Sequence, residues 1–155
     1  MTPAIRAAEA AQVAFRVHRY AHDADAESFG LEAAEKLGVP PERLFKTLIV
    51  QLDGKQLALA AVPANARLDL KKLARAAGAK KADLADPSAA ERATGYVVGG
   101  ISPLGGKKRL PAYVDETVLQ HAAVLVSAGQ RGLQIELAPD ELLRLTGGRT
   151  APLTV

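Results

Sequence analysis

Two apolar runs, residues 46–52 (KTLIVQL) and 56–62 (QLALAAV), flank Asp53-Gly54. Asp-Gly supplies the positive φ values a tight turn requires, so this stretch predicts a β-hairpin. Phe15, Val17 and the less apolar Arg19 alternate with Arg16, His18 and Tyr20, the period of a strand. Residues 110–114, 124–126 and 133–137 are further strand candidates, the last two joined by SAGQRG. Helical spacing appears elsewhere. Thr2-Pro3 opens a helix to about Ala11, and residues 27–37 form a second around Leu31, Ala34 and Leu37, stopped by Gly38. A third starts at Asp69 and ends at Gly78, and a fourth covers residues 87–93 with Asp86 as its cap. Another begins near Glu116, and residues 139–146 close the pattern before Gly147-Gly148. Strands and helices interleave, yet the hairpin excludes a purely parallel sheet. The expected fold is a single α/β (mixed α+β) domain over residues 1–155, with a mixed, largely antiparallel sheet flanked by helices.

Composition narrows the chemistry. Aromatic residues are 4% of the chain, so the core must be built from Ala, Val, Leu and Ile, and base-stacking platforms are scarce. The net charge of +3 suits a polyanionic partner without demanding one. With no cysteine, the protein has no disulfide, thiolate zinc site or cysteine nucleophile. The opening MTPAIRAAEAAQV carries Arg6 and Glu9 within its apolar pattern and reads as an amphipathic helix, not a signal peptide. No run reaches the length of a membrane span, so the expected location is the cytoplasm, with no membrane partner.

Residues 95–111, GYVVGGISPLGGKKRLP, hold five of the 13 glycines and end in a basic run. A phosphate-binding G-x-x-x-x-G-K-[ST] loop fails on spacing: its first glycine would fall on Ile101, and Lys108 replaces the hydroxyl residue. No G-x-S-x-G occurs, and Ser102 before Pro103 reads as a turn residue without a local base. His18, His22 and His121 lack the spacing of a helical zinc pair, and His22 with Asp23 and Asp25 reads as a polar loop more readily than a metal cluster. No metal or cofactor is expected. Lys71-Lys72, Lys80-Lys81 and Lys107-Lys108-Arg109 are basic clusters that tilt the balance toward a phosphate-bearing partner. Lys46 differs, because it starts the most apolar strand, FKTLIV. Either its stem carries the charge to water at the strand edge, or the cation faces a pocket. The first is commoner; residue pattern alone does not separate them.

The segments MTPAI, HRYAHD, FGLEAAEKLG, FKTLIV, LDLKKLARAAGAKK, TGYVVGGISPLGGKKRLP and SAGQRGL resemble, in order, the YbaK-type aminoacyl-tRNA deacylases. These are relatives of the editing domain inserted in bacterial prolyl-tRNA synthetases. The resemblance implies trans-editing, the hydrolysis of a wrong amino acid, chiefly cysteine, from tRNA(Pro), with prolyl-tRNA synthetase as partner. The family's functional lysine falls on Lys46, and its G-x-x-x-P loop on Gly99, Gly100, Ile101, Ser102 and Pro103. Tyr20 and Phe29 match pocket residues, as do Ser127 and Gly129 in a facing turn. Lys107, Lys108 and Arg109 are candidates for the tRNA acceptor end, and Gly105-Gly106 for the turn that starts a return strand. Backbone N–H groups of the loop would stabilise the oxyanion. The substrate thiol would attack its own ester, a step of lyase type, while Lys46 positions the terminal adenosine or its phosphate or, alternatively, favours the thiolate by its charge. The alternatives are water attack on another small amino acid, as in an Ala-tRNA(Pro) deacylase, or a non-catalytic tRNA- or synthetase-binding module. Residue 134 is Gln where some relatives are expected to carry a carboxylate, so it receives no catalytic role.

Overall fold

The computed structural model describes residues 1–155. Thr2 opens α1 (Pro3–Ala10) as expected, its Oγ1 accepting the Ile5 N–H at 3.2 Å. The same hydroxyl donates to the Ala128 carbonyl, so one cap also pins the helix to a distant strand. β1 (Phe15–Arg19) follows, then α2 (Phe29–Leu37), capped by Ser28 and ended by left-handed Gly38. A 3-10 turn at Pro41–Arg43 leads into β2 (Phe45–Leu52) and β3 (Gln56–Pro63). Their hairpin turn has φ of 52° at Asp53 and 65° at Gly54, the conformation read from the Asp-Gly pair.

Asp69 caps α3 (Leu70–Ala77), accepting from the Lys71 and Lys72 N–H groups. β4 (Ala82–Leu84) and α4 (Pro87–Thr94) come next. Asp86 was expected to cap α4; it makes no such bond, and its carboxylate instead accepts from the Ser88 hydroxyl. β5 (Ala112–Asp115) is followed by a 3-10 turn at Glu116–Gln120 where a longer helix was expected. Five residues close only a tight turn, and Asp115 caps it through the Thr117 N–H. The chain ends with β6 (Val124–Gln130), β7 (Leu133–Leu137), α5 (Pro139–Thr146) and β8 (Arg149–Ala151).

The expected mixed sheet is divided in two. One sheet is antiparallel, in the order β1-β7-β6; the other runs β4-β2-β3-β5-β8, with its last two pairings parallel. Antiparallel pairings predominate. Val124, Val126, Leu133, Ile135 and Leu137 of the first sheet pack against Phe45, Ile49, Leu59, Ala61 and Val114 of the second. Each strand shows this inner face at alternate residues, which fits two layers better than one. The second sheet's other face is filled by Val50, Val62, Leu73 and Leu153. The two sheets meet at one corner, where Leu44 bridges Leu125. No helix is long and apolar enough to cross a membrane.

Candidate active site

The site arises from a gap in the sheet. β4 pairs with β2 only from Val50 to Leu52, and the last contact beyond it is the Ala85 N–H on the Ile49 carbonyl. Residues 45–49 therefore have a free edge, between the end of β4 and the corner at Leu44 and Leu125. A cavity of about 400 Å³ occupies this gap. Its walls are residues 44–49, the start of α2, residues 84–85 with Pro87 and Ala90, and Val98, Gly99, Ile101, Ser127 and Gln134.

Lys46 is on this wall, which settles its geometry: it faces a pocket. Its Nζ lies 3.4 Å from the Ala64 carbonyl and forms no ion pair with a carboxylate. Burial alone pushes its pKa below the ordinary lysine value. The cavity thus holds a cation that is only partly solvated and not neutralised by the protein.

The glycine loop is held from several sides. The Val98 N–H donates to Glu91 of α4 at 2.9 Å, and the Val98 carbonyl accepts two N–H groups of Arg131, at 3.1 and 2.6 Å. The Arg131 guanidinium also sits 4.6 Å from the centre of the Phe29 ring, a cation–π contact. His22 flanks Phe29 on another side, ring centres 5.7 Å apart, and is fixed by its Nδ1 on Glu32 at 2.7 Å. The second Glu32 oxygen accepts the Asp23 N–H, and Asp25 N–H returns to Asp23. These bonds keep the Glu32 carboxyl below its usual range although its burial acts the other way. The His22, Asp23 and Asp25 group is thus a hydrogen-bonded loop supporting Phe29.

Within the loop the five residues divide. Gly99 and Ile101 line the cavity, and their N–H groups make no hydrogen bond within the chain. Gly100 does not line it: its N–H donates to Val97 at 2.8 Å, and so is not a free oxyanion donor as the loop reading expected. Its lack of a side chain serves packing instead, since a Cβ there would lie 2.7 Å from the Gln130 Cα. Ser102 is buried and accepts the Leu104 N–H; with Pro103 it borders a separate depression of about 240 Å³. The far end is anchored by Tyr96, whose hydroxyl donates to Leu104 at 2.6 Å and whose phenol burial pushes up to about 12.

The remaining expected residues are also placed apart. Phe29 and Ser127 line the cavity. Ser127 Oγ donates to the Gly100 carbonyl at 3.0 Å and accepts the Gly129 N–H at 3.2 Å, so the turn supports the loop. Gly129 lies away from the cavity, against Tyr96, where a Cβ would come within 2.8 Å of the ring. Tyr20 packs behind the wall beside Leu44 and Leu125, its hydroxyl pKa raised mainly by burial. Lys108 and Arg109 border the separate depression with Ser102 and Pro103. The Lys107 and Lys108 N–H groups donate to the Thr94 and Ala93 carbonyls and close the end of α4. No return strand starts at Gly105-Gly106, and β5 begins only at Ala112. Residue patterns missed Glu91 and Arg131, because loop–helix and loop–turn bonds have no sequence period. Replacing Arg131 with alanine is expected to release Val98 and Phe29 together. Steady-state kinetics should show a rise in KM and a fall in kcat, with little change in melting temperature because Arg131 is exposed.

The two-sheet α/β fold thus gathers around one cavity a lysine without a carboxylate partner and two loop amides without a hydrogen bond in the chain. Residues 25–145 match the family described as the aminoacyl-tRNA editing domain, and the chain belongs to that family. The Enterococcus faecalis protein EbsC, provisionally named a Cys-tRNA(Pro)/Cys-tRNA(Cys) deacylase, is 43% identical across 99% of this chain and 93% of its own. The proline–tRNA ligase of Moorella thermoacetica is 40% identical over 79 residues, 51% of this chain and 13% of the ligase. A crystal structure provisionally assigned as a trans-editing enzyme for prolyl-tRNA synthetase superposes with a TM-score of 0.85 at 29% identity, over 100% of this chain and 99% of that one. The enzyme class is an ester hydrolase, an aminoacyl-tRNA deacylase. A lyase classification, which thiol self-attack would carry, has no support among these relatives.

Proposed function

We propose that the cavity deacylates mischarged Cys-tRNA(Pro) in trans, and that the nucleophile comes from the substrate. The observation that carries this is a site with a cation and open amide donors but no nucleophile–base pair. The chain has no cysteine, Ser127 Oγ is engaged with Gly100, and Ser102 lies buried outside the cavity. The likeness to EbsC along nearly the whole chain supports the same substrate class.

In this reading the ester carbonyl points to the Gly99 and Ile101 N–H groups, which receive the charge developing on oxygen. The cysteinyl thiol, with a pKa near ~8.5, loses its proton and forms an S–C bond to the carbonyl carbon. The C–O bond to the ribose breaks, the ribose oxygen takes a proton, and tRNA leaves from a thiolactone that water then opens. Lys46 holds the terminal adenosine or its phosphate and favours the thiolate. Holding these groups together can supply up to ~7–11 kcal/mol of barrier reduction. Phe29 lines the amino-acid end, and Tyr20 supports the wall from behind. Lys107, Lys108 and Arg109 contact the acceptor end of the tRNA, and prolyl-tRNA synthetase supplies selection of tRNA(Pro). The groups named here all belong to one editing domain over residues 1–155.

The test is deacylation of tRNA(Pro) charged with Cys, Ser, Ala or Pro. Self-attack predicts that Cys is released at least about a hundredfold faster than Ser, its oxygen isostere, and that Pro is spared. Equal rates for Cys, Ser and Ala would instead establish water as the nucleophile. No release above background would remove the deacylase reading.

A further inference from the structure

The glycine loop begins with a β-turn. The Gly100 N–H donates to the Val97 carbonyl at 2.8 Å, and Gly99, third in the turn, has a φ of 92°. A positive φ at that position marks a type II turn, and type I differs from it mainly by reversal of the central peptide, here Val98–Gly99. Reversal would carry Gly99 to negative φ, which glycine accepts as readily. The turn by itself therefore leaves open which way the Gly99 N–H points.

Contacts from outside the turn decide it. A trans peptide is planar with its C=O and N–H on opposite sides, so whatever holds a carbonyl also aims the N–H of the next residue. No peptide bond of the chain is cis. The Val98 carbonyl accepts two N–H groups of Arg131, at 3.1 and 2.6 Å, which directs the Gly99 N–H away from Arg131. Gly99 is on the cavity wall and Arg131 is not. The charged donor also polarises the Val98–Gly99 peptide, which strengthens its N–H. The arrangement recurs at the second open amide. The Ile101 N–H shares a peptide with the Gly100 carbonyl, which accepts the Ser127 hydroxyl at 3.0 Å. Ser127 Oγ also accepts the Gly129 N–H, so its one proton is committed to Gly100. Both anchors come from one hairpin end. β6 slips against β7 between Ser127 and Gln130, leaving Ala128 and Gly129 without partners there, and Arg131 opens the turn that follows. Bulges of this kind re-aim side chains beside active sites.

We propose that Arg131 and Ser127 position the two oxyanion donors through their peptide planes, Arg131 aiming the Gly99 N–H and Ser127 the Ile101 N–H into the cavity. The inference rests on the deacylase reading, in which these two amides receive the charge developing on the ester oxygen. Either peptide, if reversed, would present a carbonyl oxygen to that charge and oppose it. The β6–β7 turn thereby does more than support the loop: it selects the orientation in which both amides can be used. Neither side chain touches the ester in this role, and both are positioning residues.

The test pairs kinetics with amide NMR. Deacylation of cysteinyl-tRNA(Pro) is measured for wild type, Arg131→Met and Ser127→Ala. Methionine, unlike alanine, keeps a stem over Phe29 while removing the N–H donors; Ser127→Ala removes only the hydroxyl. Each variant is expected to lower kcat by about tenfold to a hundredfold and to leave KM within about threefold, because the lost contact forms only as the oxyanion does. Amide nitrogen resonances then show which peptide each side chain holds, since the nitrogen responds to a hydrogen bond at the carbonyl of its own peptide. The Gly99 signal is expected to move upfield in Arg131→Met and the Ile101 signal in Ser127→Ala, each with little change in the other. Thermal melting reports folding, and if one variant does not fold the other decides. An unchanged kcat, a loss carried by KM alone, or both resonances moving together in each variant overturns the proposal. Failure of wild type to cleave cysteinyl-tRNA(Pro) at all overturns the deacylase reading, and the oxyanion assignment with it, whatever the resonances do.

Discussion

Replacing Lys46 with methionine is expected to slow Cys-tRNA(Pro) deacylation by about a hundredfold to a thousandfold while raising the melting temperature. The first effect is the size seen when a preorganised electrostatic contact to the reacting centre is lost. The second follows from the lysine's surroundings. Its charge is partly desolvated, its one protein acceptor is a carbonyl at 3.4 Å, and no carboxylate pairs with it. Methionine keeps most of the stem's apolar contacts and removes the ammonium.

The pH dependence has a definite sign. Lys46 has a lower pKa folded than unfolded, so the unfolded chain binds its proton more tightly. At neutral pH both states carry the charge and the full desolvation cost opposes folding. As pH rises through the depressed folded value toward the ordinary one, that cost disappears. Wild type should therefore gain stability from this group in the alkaline range, and Lys46→Met should lack that increment. Calorimetry at neutral and alkaline pH measures both. A variant with wild-type activity would remove Lys46 from the mechanism, and a lowered melting temperature would show that the ammonium is stabilised by its site.

The second large effect is expected from the smallest substitution. Gly100→Ala puts a Cβ 2.7 Å from the Gln130 Cα and 3.0 Å from the Arg131 nitrogen. Both are backbone atoms in the turn that supports the loop, so neither can move aside as a side-chain tip does. Overpacking of this sort costs roughly 1–3 kcal/mol. Any relaxation also shifts Gly99 and Ile101, and a displacement of about 1 Å at a reacting site can cost on the order of a hundredfold in rate. Gly106→Ala is the matched control. Its nearest neighbour would be the Lys108 carbonyl at 3.6 Å, and its φ is not positive, so stability and rate should remain near wild type. Chemical denaturation and single-turnover deacylation of the two variants separate them. Equal behaviour would mean that the contact with Gln130 does not constrain the loop.

Much of the framework was legible because it depends on neighbours in the chain. Asp53-Gly54 specifies the hairpin through its own dihedrals, and Thr2, Asp69, Gly38 and Gly78 mark helix ends through bonds within one turn. β4 and β8 were not legible. Three residues are too short to show a period, and each strand exists because a partner strand offers free backbone groups. The split into two sheets was hidden as well, because alternation says which residues face inward but not what they face.

The same division runs through the site. The sequence alone determined that the chain has no cysteine nucleophile, a lysine at the head of its most apolar strand, and a glycine-rich loop matching a deacylase family. Only the tertiary structure decided that Lys46 enters a cavity, because that cavity exists where β4 stops and the two sheets part beyond Leu44 and Leu125. It also assigned unlike tasks to adjacent residues: Gly99 and Ile101 face the cavity, whereas Gly100 packs against Gln130 and the Lys107 and Lys108 amides close α4. Whether a polar atom has a partner depends on what the whole fold places beside it, and residue order does not carry that information.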